Sequence, residues 1–373
     1  AIKRALLDMR SLLITLALVA CNASLHAPDR RRPLAARRRA ISPTAQVDLV
    51  AARKAEPKPP GLLPLAYSAC GLATTAAWSR IVFTTIRSNQ PLGMMMPTYQ
   101  HGLFARTGAM SAAPLIVSCF AVLASASKDS WEELGAPACR RLNLALVTAG
   151  TASALWVGFA AHLTQLPGTT PLASHFGGAW YSGAQRAALI GSFGSAAALS
   201  ALVWARSLPE DVRNNPLSWP GRVADGVAKS LVSLAPKNRD DPVNVKYALL
   251  CSSFLLLTAV PILASPSFPL SVIPSWTGRR LSRAFPAWTF LAAVSTYNLK
   301  EAAENGKLLA DQTYRTLSKG IKGFGAVYLS AKVGAIFFDP SFPEAYHAVK
   351  LVPGPAIAAI LAVGLTMRPD TAE

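Results

Sequence analysis

The sequence has little charge and lacks the residue groupings on which most enzymes and metalloproteins depend. Only 15% of its 373 residues are charged, whereas 51% are hydrophobic, and the mean hydropathy is +0.31. A soluble chain of this length would need more charge, so the composition favours a lipid bilayer as the solvent. The five cysteines include no Cys-x-x-Cys pair, and no disulfide framework or zinc site is expected.

Acidic residues are scarce, with 19 Asp and Glu against 37 Lys and Arg. The resulting net charge of +18 is of the kind found in nucleic-acid-binding proteins. Here, however, the basic residues lie in the N-terminal segment and in loops that flank apolar runs. No nucleic-acid partner is therefore expected, and membrane lipids are the expected surroundings.

A two-part presequence is predicted over residues 1–45. Met9 and Arg10 precede a short apolar run, after which Cys21 and Ala23 supply small residues at the two positions that a signal peptidase reads. Residues 9–23 are therefore interpreted as a secretory signal peptide. Residues 24–45 contain six arginines and one acidic residue, which is the composition of a transit peptide.

This arrangement resembles the bipartite presequence of algae with secondary plastids, and its Ala and Arg bias is similar to that of dinoflagellates. The resemblance covers about the first 45 residues and implies delivery to a plastid through the secretory route. Two alternatives stay open, namely an ordinary secretory signal followed by a basic disordered segment, and a mitochondrial presequence.

After residue 60 the chain contains recurrent apolar segments, each of roughly the length that crosses a bilayer core of about 30 Å. The predicted fold class is all-α, a polytopic transmembrane helical bundle of about eight spans. The last three segments are short or interrupted by Lys or Pro, so six or seven spans remain an alternative. The segments are residues 61–78, 107–127, 142–166, 187–205, 247–264, 284–299, 321–338 and 351–367.

The chain divides into a first transmembrane half over residues 46–205, a polar linker over residues 206–246 and a second half over residues 247–373. The linker is predicted to form an amphipathic helix in the membrane interface. Its apolar residues recur at helical spacing with charged residues between them: Val223, Val227, Leu231 and Leu234 alternate with Arg222, Asp225 and Lys229.

Similar Pro-bounded loops indicate that the two halves are tandem repeats of four helices. Pro97 and Arg106 precede the second span, as Pro274 and Arg283 precede the sixth. Halves with an even number of spans would be related by a pseudo-two-fold axis along the membrane normal. Because the N-terminal segment and the even-numbered loops carry most of the basic residues, both termini are predicted to face the stroma.

No Asp or Glu occurs within any predicted span, although proton-coupled carriers generally need intramembrane carboxylates. Lys332, inside the seventh segment, is the main candidate for a charge at membrane depth. It favours either an anionic substrate or lipid, or a side chain that extends to the interface.

Three histidines near predicted span ends are the candidate cofactor-binding residues, His162, His175 and His101. A neutral imidazole at a membrane boundary can donate a nitrogen lone pair to the magnesium of chlorophyll. Chlorophyll and carotenoid are therefore the expected cofactors, and a solvated interfacial histidine is the alternative for each position. The histidines are not grouped as they would be at a metal centre.

Residues 301–310, which read EAAENGKLLA, resemble the chlorophyll-binding helix signature of light-harvesting proteins. In that signature a Glu precedes Asn-Gly-Arg and an apolar helix continues. This sequence differs in that Glu301 lies one residue too far upstream, Lys307 replaces Arg, and Asp311-Gln312 interrupts the continuation. The alternative is a polar loop in which Gly306 ends the sixth span.

The expected function is a non-catalytic accessory subunit of a thylakoid photosystem I–antenna supercomplex, packed against neighbouring photosystem or antenna subunits. In role it would be similar to the lineage-specific photosystem I subunits of dinoflagellates. The alternative is a plastid-envelope solute carrier for an anionic metabolite. An enzyme is not expected, because no nucleophile, metal set or pair of acids has the required spacing.

Overall fold

The computed structural model describes residues 61–87, 107–162, 183–263 without 216, 218, 238 and 239, 276–306 and 311–338. The predicted presequence and the eighth apolar segment lie outside these residues. Within them the secondary structure is helical and contains no strand. The all-α prediction is therefore confirmed for the described part of the chain.

The helices run in sequence order through both predicted halves. They are α1 (Leu63–Arg87), α2 (Ala112–Asp129), α3 (Trp131–Gly135), α4 (Pro137–His162), α5 (Gly183–Arg206), α6 (Glu210–Arg213), α7 (Trp219–Val232), α8 (Pro242–Leu263), α9 (Trp276–Glu304) and α10 (Gln312–Phe338).

The first seven predicted apolar segments coincide with the long helices α1, α2, α4, α5, α8, α9 and α10. Two described helices are long and apolar enough to cross a bilayer, Thr107–Asp129 and Gly183–Arg206, and Pro242–Leu256 is a shorter apolar stretch. The other helices are rich in Ala, Gly, Ser and Thr or carry Lys and Arg, which lowers their mean hydropathy. Helix positions are thus confirmed, whereas the full set of spans is not.

An aromatic cluster fills the interior where α1, α5 and α9 meet. Trp288 of α9 is fully buried, with its ring centroid 5.7 Å from that of Trp78 in α1 and 6.2 Å from that of Phe193 in α5. The Trp78 indole nitrogen donates to the Ala109 carbonyl at 3.0 Å. Large rings of this kind bury much apolar area and fix how neighbouring helices approach.

Small residues bring the helices close together. A Cβ atom added at Gly150 in α4 would lie 2.8 Å from the Phe193 carbonyl oxygen of α5, and one at Gly71 in α1 would lie 2.7 Å from Phe120 Cβ in α2. In α10, Gly323 leaves room for Pro114 of α2 in the same way. Close backbone approach of this kind is typical of helices that associate within membranes.

Helix ends and neighbours repeat along the chain. The separation in sequence is the same, to within one residue, for four pairs of helix termini: the last residues of α1 and α8, the last residues of α2 and α9, and both the first and the last residues of α4 and α10. The first residues of α1 and α8, and of α2 and α9, are separated less regularly. In the first half α1 packs on α2, and in the second α8 packs on α9. If α2 corresponds to α9 and α4 to α10, a second contact also repeats, because α2 packs on α10 and α9 packs on α4. The expected equivalents Pro97, Arg106 and Pro274 lie outside the described residues, and the Arg283 side chain is not described.

The amphipathic helix predicted in the linker is present as α7, Trp219–Val232. It ends two residues before Leu234, which the sequence pattern had included. At the other polar junction, α9 ends at Glu304, and Gly306 has a φ of +65° with its N–H bonded to the Ala303 carbonyl. The helix therefore ends just before Gly306, as the alternative interpretation predicted. Residues 301–304 belong to α9 itself, and residues 307–310 lie outside the described residues.

Candidate functional site

A cavity of about 450 Å³ lies between α7 and the bundle. Its lining comes from five long helices and the connections between them, and most of the lining residues are apolar. The main apolar residues are Val223, Val227 and Leu231 of α7, Leu234 after it, Leu144 and Ala145 of α4, Trp204 of α5, Leu255 of α8, and Phe290 and Val294 of α9. The volume is within the range of about 300–1,000 Å³ that is typical of small-molecule sites.

The first end of α7 is attached to α5 and α6 through one aromatic residue. The Trp219 indole nitrogen donates to the Val212 carbonyl at 2.9 Å. Its ring also stands edge-on to Trp204 at the end of α5, with a centroid separation of 5.5 Å. These two contacts fix where the helix begins.

The other end of α7 is attached to α9 through polar groups. The hydroxyls of Ser233 and Tyr297 lie 2.6 Å apart, and the Lys300 ammonium donates to the Ser233 carbonyl at 2.8 Å. Between the two attachments, no described residue of α7 is buried. The helix is thus held at both ends while its apolar face lies over open space.

A bidentate ion pair joins α4 to α9 beside the cavity. The Arg141 guanidinium donates to both carboxylate oxygens of Glu301, at 2.5 and 3.1 Å, and to Asn298 Oδ1 at 3.0 Å. Its Cζ also lies 4.8 Å from the centre of the Tyr297 ring. Hydrogen bonds from Arg141 lower the pKa of Glu301 against the opposing effect of burial, and the charges of Arg141, Lys237 and Lys300 lower it further.

A second ion pair, one turn further along α9, is almost fully buried. The Lys300 ammonium lies 2.7 Å from Glu304, and both side chains are only 2% exposed. Glu304 also accepts from the Lys237 backbone N–H at 2.8 Å. Since a buried charge is costly without a partner, each of these side chains depends on the other.

Arg140 differs from its neighbour Arg141. It is half-buried and lines the cavity, yet its guanidinium forms no ion pair within the described part of the chain. Arg140 and Arg141 are the charged residues among the described residues that line the cavity, and none of these lining residues is acidic. The charged part of the lining is therefore positive, and the rest is mostly apolar.

None of the histidines proposed from the sequence is among the described residues that line this cavity. His101 and His175 lie outside the described residues, and His162 is the last residue of α4, with a side chain that is not described. Lys332 lies in α10, and its side chain is likewise not described. The structure therefore leaves the three histidines and Lys332 as predictions.

The cavity lining fits an apolar chain better than the magnesium of chlorophyll. The described lining residues include no histidine, and the nearby Glu301 carboxylate already accepts from Arg141. Among the described residues, no group of three or more His, Cys, Asp or Glu is placed to hold a metal ion. A carotenoid or an acyl chain needs no such ligand, so the apolar walls of this cavity are compatible with either.

Sequence reasoning did not identify the cavity, although one signal for it was present. The positive-inside pattern placed Arg141, Lys237 and Lys300 in loops on the same side of the membrane. The structure brings the chain segments that carry these residues together at one end of the bundle.

Comparison with known proteins adds no relative from which a function could be transferred. No known protein family, no curated protein and no solved structure matches this chain.

Proposed function

We propose that this chain is a non-catalytic, multi-pass accessory subunit of a thylakoid photosystem I–antenna supercomplex, with both termini on the stromal side. Its partners in this proposal are membrane lipids and neighbouring photosystem or antenna subunits. The observation that carries the proposal is the set of large apolar side chains on the outward faces of tightly packed helices.

These exposed apolar residues recur along single helix faces. On α1, Leu65 and Leu72 are 68% and 71% exposed, and on α8, Leu249 and Leu256 are 57% and 62% exposed. A separation of seven residues places both members of each pair on the same face. Exposed apolar surface of this extent is unfavourable in water and favourable against lipid or an apolar partner.

The interior supports a packing role more than a transport role. Trp78, Trp288 and Phe193 occupy the centre of the described bundle and are buried, and the acidic side chains Glu301 and Glu304 lie at one end of it. The described parts of the predicted spans contain no Asp or Glu. In lipid the hydrophobic effect does not drive helices together, so contacts with partner subunits depend on close packing of this kind.

About eight spans in two tandem four-helix halves are part of the proposal. The regular separation of helix ends supports the repeat. So does the repetition of helix neighbours, with α1 on α2 matched by α8 on α9, and α2 on α10 matched by α9 on α4. In this scheme α7 lies in the membrane interface between the halves.

Chlorophyll and carotenoid are the proposed cofactors, with His162, His175 and His101 as the proposed pigment-contacting residues. Their predicted positions near helix ends support this assignment, because an imidazole there can reach a tetrapyrrole held between neighbouring subunits. The plastid destination rests on the presequence resemblance.

The second candidate is a plastid-envelope solute carrier for an anionic metabolite. It is favoured by the repeated helix arrangement and by Lys322 and Lys332 within α10, since parallel repeats and an intramembrane cation are features of transporters. The filled aromatic centre of the described bundle makes it the weaker candidate.

Mild detergent solubilisation of the native membranes, followed by native electrophoresis, tests the two candidates. Co-migration of the chain with a chlorophyll-bearing complex is the expected result. Migration as a free, colourless protein would contradict the accessory-subunit proposal and favour the carrier. A His162→Leu variant that kept its place in the complex but lost pigment absorbance would support the cofactor assignment.

A further inference from the structure

A cavity separates the middle of α7 from the rest of the bundle. Trp219 holds the first end of the helix and Ser233 the chain just beyond its last residue. The apolar residues between these attachments, Val223, Val227 and Leu231, are not buried and line the cavity. Protein interiors rarely leave apolar surfaces apart over such a volume, because the lost contacts are destabilising.

The depth of the cavity is lined by hydrocarbon and aromatic side chains. Leu144, Leu255, Phe290 and Val294 come from three different helices and present no charge to it. Water gains little there, because a buried water needs two or more polar partners. The chemistry of these walls matches a flexible apolar chain.

The charged part of the cavity lining has the opposite character. Arg140 lines the cavity and forms no ion pair in the part of the chain that the structure describes, whereas Arg141 is already bonded to Glu301. A half-buried guanidinium next to an apolar surface is stabilised by an anion, preferably one that accepts two hydrogen bonds. The carboxylates of Glu301 and Glu304 are committed to Arg141 and Lys300, so the anion must come from outside these pairs.

We propose that the cavity beneath α7 binds an anionic lipid, with an acyl chain between α7 and the bundle and the headgroup on Arg140. This is a structural lipid site that the photosystem proposal does not require and does not assign. Apolar walls next to a cation that has no ion pair among the described residues distinguish it from a site for a neutral pigment.

Gly226 provides a substitution that tests the cavity with little disturbance of the fold. It lines the cavity, and a Cβ atom added there meets no atom within 4 Å. A side chain can therefore begin at Gly226 without strain, and the ring of Gly226→Phe is expected to occupy space in the cavity. Gly221→Phe is the matched control, because Gly221 is on the same helix, also has no neighbour within 4 Å and does not line the cavity.

Arg140→Gln tests the headgroup contact separately. Its control is Lys229→Gln, which removes one positive charge from α7 at a side chain that is 82% exposed and 3.9 Å from Asp225. If net charge alone attracted the lipid, the two variants would behave alike. If Arg140 binds the headgroup, only Arg140→Gln changes the preference for anionic lipid.

The experiment is native mass spectrometry of the full chain, delipidated in detergent and titrated with phosphatidylglycerol or with phosphatidylcholine of the same acyl chains. Gly226→Phe should weaken phosphatidylglycerol binding about tenfold and Gly221→Phe should leave it unchanged. Arg140→Gln should reduce the preference for phosphatidylglycerol about tenfold, which corresponds to loss of one charge-assisted contact, while Lys229→Gln should keep it.

Three results would overturn the proposal. Equal binding by Gly226→Phe and wild type would remove the cavity as the site. Equal affinity of wild type for the two lipids would remove the anionic headgroup. If the chain purified from native membranes carried a carotenoid that Gly226→Phe lost, while phosphatidylglycerol binding was unchanged, the cavity would be assigned to a pigment.

Discussion

Arg141 in α4 and Glu301 in α9 form a bidentate ion pair across 160 residues of sequence, with N–O distances of 2.5 and 3.1 Å. The pair connects the start of α4 to the end of α9, and Arg141 also lines the cavity. Its side chains are 29% and 37% exposed, so solvent screening reduces but does not abolish its contribution to stability.

Arg141→Gln should destabilise the α4–α9 contact by about 1 kcal/mol, because charge-assisted bonds are lost and solvent screening limits what they contributed. Thermal unfolding in detergent measures the change. Arg213→Gln is the matched control, since Arg213 is more exposed and lies 3.9 Å from Glu210. Equal effects of the two substitutions would contradict a special role for Arg141.

The same pair makes stability depend on pH. Hydrogen bonds from Arg141 hold the pKa of Glu301 below its ordinary value of 4.5. The stabilisation should therefore be fully present above pH 4.5 and lost as pH falls through the lowered pKa. Melting temperatures of wild type and Arg141→Gln should converge in acid. If the difference between the two melting temperatures stayed constant below the lowered pKa, the ionised Glu301 would not be the source of that difference.

Breaking the buried ion pair of Lys300 and Glu304 should reduce stability more than breaking the pair of Arg141 and Glu301. Glu304→Gln leaves the Lys300 ammonium, 2% exposed, without its carboxylate, and the expected loss of stability is about 3–5 kcal/mol. The double substitution Lys300→Met with Glu304→Leu should recover most of that loss, because no charge then remains buried.

Asp225→Asn is the control for the Lys300 and Glu304 substitutions. Its ion pair with Lys229 is exposed, with side-chain exposures of 78% and 82%, and the change should stay within about 0.5 kcal/mol. If the double variant were as unstable as Glu304→Gln alone, the loss would come from packing and not from the unpaired charge.

Alanine substitutions at two glycines in α4 should change the stability of the protein in opposite directions. Gly150→Ala should destabilise by about 1–3 kcal/mol, because the new Cβ would lie 2.8 Å from the Phe193 carbonyl oxygen. Gly158→Ala, whose Cβ would have its nearest neighbour at 3.9 Å, should stabilise by about 0.5–1 kcal/mol through helix propensity. Thermal unfolding of both variants measures the signs, and stabilisation by Gly150→Ala would contradict the close α4–α5 packing.

Proteolytic processing should remove the presequence, because an arginine-rich segment without an apolar face cannot bury a core. N-terminal sequencing of the mature protein should give a start between residues 41 and 50. A mature chain that began at Met9 or Ala1 would contradict both the cleavage and the plastid assignment.

The local pattern of apolar residues was sufficient to predict where the described long helices and α7 lie. Apolar runs predicted the positions of α1, α2, α4, α5, α8, α9 and α10, even where Lys322 and Lys332 interrupt the run in α10, and apolar residues at helical spacing predicted α7. The end of α7 was missed: the helix stops at Val232, and the next residue, Ser233, contacts Tyr297 of another helix. Gly306, with its positive φ, ended α9 as a glycine after a helix commonly does.

The sequence by itself determined the apolar character of the chain and the helices of its described part, since helix formation and hydropathy depend on neighbouring residues. Only the tertiary structure decided that Arg141 is paired with Glu301 while Arg140 lines a cavity without an ion pair to any described residue. Adjacent arginines look equivalent in sequence, but about 100° of helical rotation separates them, and which one meets an acid depends on packing between distant helices. Likewise, periodicity showed the apolar face of α7, and only its attachment at both ends left that face over open space.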